Sequence, residues 1–175
     1  MSEVIRGLSF VHEWQVIEPI LVPFLVRCGM AALCGGIIGL ERELKQKPAG
    51  LRTNIMICVG AAMYMAIGML VAREGATGVD PTRIAAQVVS GIGFLGAGCI
   101  IQQGAQVTGL TSAATIWVVA AIGTVAGAGF PITAFVATVM VVLTLVALRT
   151  VEARLVDPFR ITHPDDGMTA DNRRD

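Results

Sequence analysis

Charged residues are scarce in this sequence: 15% of its 175 residues are Asp, Glu, Lys or Arg, while 54% are hydrophobic and mean hydropathy is +0.71. A water-facing surface needs more polar groups than that, so an ordinary soluble domain or soluble enzyme is excluded, as are disordered and collagen-like chains. Charge of one sign is missing too, because 13 basic residues balance 13 acidic ones. No basic field argues for nucleic acid. Histidine is nearly absent: His12 and His163 both lie outside the apolar runs, and neither H-E-x-x-H nor G-x-S-x-G occurs, so no enzymatic constellation is available. The four cysteines, Cys28, Cys34, Cys58 and Cys99, form no C-x-x-C pair and lie inside apolar runs. They read as small buried hydrophobes, with neither a metal site nor a disulfide framework implied.

Long apolar runs fill the remainder. Five can be drawn, Ile20 to Leu40, Thr53 to Ala72, Ile84 to Ile101, Thr111 to Ala128 and Pro131 to Arg149. Each is near the ~20 residues that span about 30 Å of hydrocarbon. Backbone groups in lipid must be satisfied within the segment, so the runs are expected to be helices. The fold class is thus an all-α membrane protein, a bundle of five transmembrane helices. Three parts follow: residues 1–19 as an N-terminal interfacial segment, 20–149 as the transmembrane domain, and 150–175 as a short cytoplasmic tail, partly disordered. Residues 1–19 have no signal-peptide pattern. Val4, Ile5, Leu8, Val11 and Trp14 fit either a short interfacial helix or a frayed tail.

Lysine and arginine set the orientation. Arg42, Lys45, Lys47 and Arg52 lie in the first loop, with Arg149, Arg154, Arg160, Arg173 and Arg174 at the C-terminal end. Only Arg6, Arg73 and Arg83 fall on the other side. Five crossings then put the N-terminus in the periplasm and the C-terminus in the cytoplasm. In the first loop, Glu41 with Lys45 and Glu43 with Lys47 would pair at helical spacing if the helix continued to Pro48. Arg52, Thr53 and Asn54 would open the second span on a cytoplasmic vestibule.

Small residues recur at helix-packing spacing: Ala31, Gly35 and Gly39 on the first span, Gly123 and Gly127 on the fourth. Gly91, Gly93, Gly96 and Gly98 crowd the third. They spell G-x-G-x-x-G, but no strand precedes them and no acidic residue follows at the ribose distance, so a dinucleotide site is refused. The cluster reads either as close packing or as a broken helix whose free backbone groups meet an ion. Arg27 sits seven residues into the first span, about 10 Å deep at 1.5 Å per residue. It either snorkels to the interface or pairs with Glu74, Asp80 or Gln87. No Asp or Glu lies within the hydrocarbon part of a span. That counts against a path that strips water from magnesium, which binds hard oxygens.

Two loops and the third span carry a resemblance. Gly39-Leu-Glu41-Arg42-Glu43 followed by Ala49-Gly-Leu-Arg52-Thr53-Asn54 is similar to the signature of the MgtC/SapB family of bacterial inner-membrane proteins. So are the stretch from Arg83 through Gln87 and Ser90 to Gly98, and the stretch from Gly109 through Thr111, Thr115 and Trp117 to Gly123. The resemblance covers about residues 20 to 149. It implies a multi-pass protein of the bacterial inner membrane, associated with growth in low magnesium and with survival of pathogens in macrophages, acting through other membrane proteins. The positions matching its polar signature are Arg27, Glu41, Arg42, Arg52, Thr53, Gln87, Ser90, Thr111 and Trp117. Many members carry a cytoplasmic ACT-like domain, whereas this sequence ends 26 residues after Arg149. The expected function is therefore a regulatory or interaction protein of the membrane, not an enzyme. It would need no cofactor or metal and would have the bilayer, other inner-membrane proteins and, as an open alternative, further copies of itself as partners. The competing expectation is a magnesium or other ion transporter or channel, with a glycine-lined path in the third and fourth helices.

Overall fold

The computed structural model describes the backbone of residues 2–73 and 80–155 and the side chains of residues 18–73 and 80–151. Five helices follow in order: α1 (Ser2–Leu44), α2 (Leu51–Arg73), α3 (Pro81–Gly98), α4 (Leu110–Gly127) and α5 (Pro131–Leu155). Among the described residues, four stretches are long and apolar enough to cross a membrane: Glu18–Leu44, Leu51–Arg73, Leu110–Gly127 and Pro131–Val151. α3 is an 18-residue helix, about 27 Å at 1.5 Å per residue, but Arg83, Gln87 and Ser90 lower its apolarity. The backbone of α1 is helical from Ser2 onward, continuous through Pro19 and Pro23. Trp14, Glu74 and the tail beyond residue 155 lie outside the described side chains or residues.

The chain forms two units. In the first, Met1–Val142, α2 packs between α1 and α4, and α3 lies against α4 and α2. Glycine sets how closely these helices approach. A Cβ on Gly123 would stand 2.2 Å from the Cys58 carbonyl oxygen, and one on Gly127 2.3 Å from that of Ala62. On α1, Gly35 would meet the Asn54 carbonyl at 2.7 Å and Gly39 the Leu51 Cα at 2.8 Å. With no hydrophobic drive between helices in lipid, such backbone-to-backbone packing is what holds the seams. Ala31, Cys34, Ile38, Cys58, Ala62, Ile116 and Val119 fill the core between them. α5 begins in this unit, with Ala134 and Thr138 fully buried. The second unit runs from Leu143, and its described part is the end of α5, helical to Leu155.

Two local features depart from the sequence expectation. The third apolar run extends to Ile101, but α3 stops at Gly98, and Ile101–Gln103 (β1) pairs antiparallel with Gln106–Thr108 (β2). The polar run Gln102-Gln103-Gly104-Ala105-Gln106 has little to gain in hydrocarbon, and Gly104 at φ +59° suits a two-residue hairpin turn. Gly109, at φ +89°, starts α4 so close to Cys99 that a Cβ would stand 1.8 Å from its carbonyl oxygen. The first loop also differs. α1 ends at Leu44 rather than running to Pro48, and Gln46 and Ala49 take left-handed φ of 51° and 60°. The Glu41–Lys45 and Glu43–Lys47 pairs do not form. The Glu43 carboxylate instead accepts the Leu51 N–H at 2.9 Å, where a negative charge meets the positive end of α2.

Candidate functional site

The helix order places the basic first loop, the hairpin and the start of α4 at one end of the first unit. There the last turn of α1 brings Arg42 against α4. Its Nη2 donates to Ser112 Oγ at 3.2 Å, and Nη1 lies 3.8 Å from Glu41 Oε2, an ion pair too long for a hydrogen bond. Arg42 is only 4% exposed. Across Gly39, Asn54 is fully buried and its Nδ2 donates to the carbonyls of Ala49 and Gly50 at 2.5 and 2.8 Å, fastening the left-handed loop to α2.

Among the described residues, three buried side-chain atoms have no hydrogen-bond partner: Glu41 Oε2, Arg42 Nε and Asn54 Oδ1. All three belong to this end. Each unmet group costs about 1–3 kcal/mol, more where it is charged. The cluster therefore holds one donor and two acceptors in an arrangement that water, or a rearranged neighbour, would improve. Arg52 and Thr53 are exposed beside it at the start of α2, whereas Asn54, expected with them to line an open vestibule, is buried. Its signal was weak because an Asn next to charges at a helix start ordinarily faces water. Thr111 is exposed, and its carbonyl accepts the Thr115 hydroxyl at 2.8 Å. Trp117, six residues further along α4 than Thr111, is half exposed.

Arg27 lies at the opposite end, and its expected partners are corrected by the geometry. Its Nη1 donates to the Gly127 carbonyl at 3.0 Å, at the C-terminus of α4, where a cation complements the exposed carbonyls. Asp80 is engaged elsewhere: its Oδ1 accepts from Thr82 N and Oγ1 at 2.8 and 2.7 Å and caps α3. Those two bonds hold the Asp80 carboxyl below the usual carboxylate range. Glu74 lies outside the described residues.

Gln87 and Ser90 are not drawn into the cluster at all. Both are exposed on α3, and Gln87 borders a groove of about 510 Å³ between α2 and α3. Of the α3 glycines, Gly96 packs on Ala113, while Gly91, Gly93 and Gly98 have open space where a Cβ would stand. Cys34 and Cys58 are buried, Cys28 and Cys99 half-buried, and all four are free thiols.

Comparison with known proteins adds a family to this geometry. Residues 28–154 match the model of the MgtC family. Protein MgtC of Brucella abortus (strain 2308) is 49% identical over 119 residues, covering 68% of this chain and 48% of that protein. Protein MgtC of Salmonella typhimurium (strain 14028s / SGSC 2262) is 40% identical over 136 residues, covering 78% and 57%. YhiD of Escherichia coli (strain K12), whose name proposes it as a magnesium transporter, is 42% identical over 138 residues, covering 77% and 64%. The chain thus spans about half to two thirds of the length of these curated relatives. No solved structure matches it.

Proposed function

The chain belongs to the MgtC family, and from that membership we propose that it is a regulatory protein of the bacterial inner membrane that supports magnesium homeostasis. It sustains growth when magnesium is low, a virulence-associated trait in pathogens, by engaging other membrane proteins. The observation that carries this reading is the Arg42–Glu41–Ser112 cluster, whose Glu41 Oε2 and Arg42 Nε are unmet, with the unmet Asn54 Oδ1 at the same end. A buried, half-satisfied charge at the end of a bundle costs free energy in the resting state. A partner or a rearrangement that supplies the missing bonds recovers that cost, so the cluster favours response over permanent structure.

Orientation supports the same reading. Gly68 meets Ile84 and Gly96 meets Ala113, so the ends of α3 lie near opposite ends of the first unit. The excess of lysine and arginine in the first loop supports five crossings with a periplasmic N-terminus and cytoplasmic C-terminus, with Arg42, Lys45, Lys47 and Arg52 on the cytoplasmic side. The cluster and the exposed Arg52 and Thr53 face the compartment where partners and magnesium status are read.

A second reading, ion transport, is favoured by the name of the Escherichia coli relative. Against it stands the chemistry of α3 and α4, which carry no Asp or Glu to supply the hard oxygens magnesium binds. Growth in low magnesium separates a working chain from a broken one. In a strain lacking its own copy, the wild-type chain is expected to restore growth. Arg42→Met and Ser112→Ala, inserted at normal levels, are expected not to. Full restoration by both variants overturns the cluster's role.

A further inference from the structure

The face of α3 turned away from α4 has a chemistry that lipid does not match. Gln87, Gly91, Phe94 and Gly98 follow at i, i+4, i+7 and i+11, so they form one stripe. Gly96, which faces α4, is the one buried residue of α3. Beside the stripe runs the groove of about 510 Å³, walled by Tyr64 and Gly60 of α2 and by Gln87, Gly91 and Leu95 of α3. Neither the Gln87 amide nor the Tyr64 hydroxyl makes a hydrogen bond within the described residues. An acyl chain could fill the apolar walls but offers these groups neither donor nor acceptor. Whatever covers this face brings hydrogen-bonding atoms to the depth of Gln87.

We propose that the occupant is a second copy of this chain, joined through α3 about a two-fold axis. An amide carries both a donor and an acceptor, so Gln87 is complementary to the Gln87 of a second copy. A two-fold interface also requires each copy to present both a projection and the hollow that receives it. Phe94, 83% exposed, is the projection, and it stands next to the groove on the same helix. Gly60 and Gly91, with nothing within 4 Å of a Cβ position, leave the hollow open to close approach. Covering α3 in this way also explains how a helix bearing Gln87 and Ser90, and short of the apolarity of the other four, is accommodated at bilayer depth.

The test uses two differently tagged copies of the full chain, co-expressed and purified together, with light scattering on each preparation. The wild type is expected to co-purify both tags at the mass of a dimer. Gln87→Leu, which removes the amide, and Gly60→Leu, which fills the groove, are each expected to weaken self-association about tenfold, the scale of one lost interhelical hydrogen-bond pair. Gln87→Asn keeps the amide and should retain more association than Gln87→Leu. Leu33→Ala, on the exposed side of α1, should change nothing. Helical content by circular dichroism identifies a variant that fails to fold, and the second groove variant then decides the matter. A monomeric wild type overturns the proposal. So does self-association unchanged in both folded variants, or a monomer whose native mass carries a phospholipid that Gly60→Leu displaces.

Discussion

Replacing Gly123 by alanine separates two effects that usually travel together. Alanine is the better helix former, worth about 0.5–1 kcal/mol over glycine in a helix interior. At Gly123, however, the new Cβ would stand 2.2 Å from the Cys58 carbonyl oxygen, 2.9 Å from its carbon and 3.0 Å from Ala61 Cβ. Two of those atoms are backbone and cannot swing aside. Ordinary contact begins near 3.4 Å, so α2 and α4 must part by about 1 Å, loosening contacts all along the seam. Overpacking of this kind costs typically about 1–3 kcal/mol and outweighs the propensity gain. Gly93→Ala is the control, because nothing lies within 4 Å of its Cβ position and only the propensity gain remains. Equilibrium unfolding in mixed micelles, followed by circular dichroism, should find Gly123→Ala destabilised and Gly93→Ala as stable as wild type or slightly more so. Equal stability of the two variants would refute the claim that close backbone approach holds this bundle.

Other positions give independent tests. Arg27→Met removes the bond to the Gly127 carbonyl and the charge that complements the end of α4, and should cost about 0.5–2 kcal/mol in the same unfolding assay. Glu43→Ala strips the Leu51 N–H of its acceptor and should speed hydrogen exchange in the first turn of α2, at a cost of about 0.5–2 kcal/mol. Gln46→Gly relieves a left-handed backbone at φ 51° and should stabilise by about 1 kcal/mol, provided the Glu43–Leu51 bond persists. Asp80 sets a pH dependence. Its carboxyl titrates lower in the folded chain than in the unfolded one, so the cap contributes fully above the ordinary carboxylate pKa and is lost as pH falls through the depressed folded value. Amide exchange at Thr82 should therefore rise only below about pH 4, and Asp80→Asn should remove that dependence.

The helices were legible because hydrocarbon imposes one rule on long apolar runs, and Leu51–Arg73, Leu110–Gly127 and Pro131–Val151 obey it. The hairpin at Ile101–Thr108 was not. Ile100 and Ile101 continue the apolar run, and only the pairing of Gln102 with Val107 and Gln103 with Gln106 reveals a turn at Gly104. In the candidate site, Glu41 and Arg42 stood out by charge, but their burial depends on Ser112, 70 residues away. The roles of Glu43 and Asn54 depend on where α1 stops. A helix continued to Pro48 would pair Glu43 with Lys47, whereas a helix ended at Leu44 frees it to cap α2. Arg27 could be recognised as a costly charge within a span, yet its partner is a backbone carbonyl, which no residue type announces.

Magnesium flux into liposomes carrying the purified chain, beside protein-free liposomes and an Arg42→Met preparation of equal helical content, tests the regulatory account most directly. The account predicts flux indistinguishable from the protein-free control in both preparations, together with loss of low-magnesium growth in cells carrying Arg42→Met. Saturable flux through the wild type that Arg42→Met alters would contradict it and make the chain a transporter.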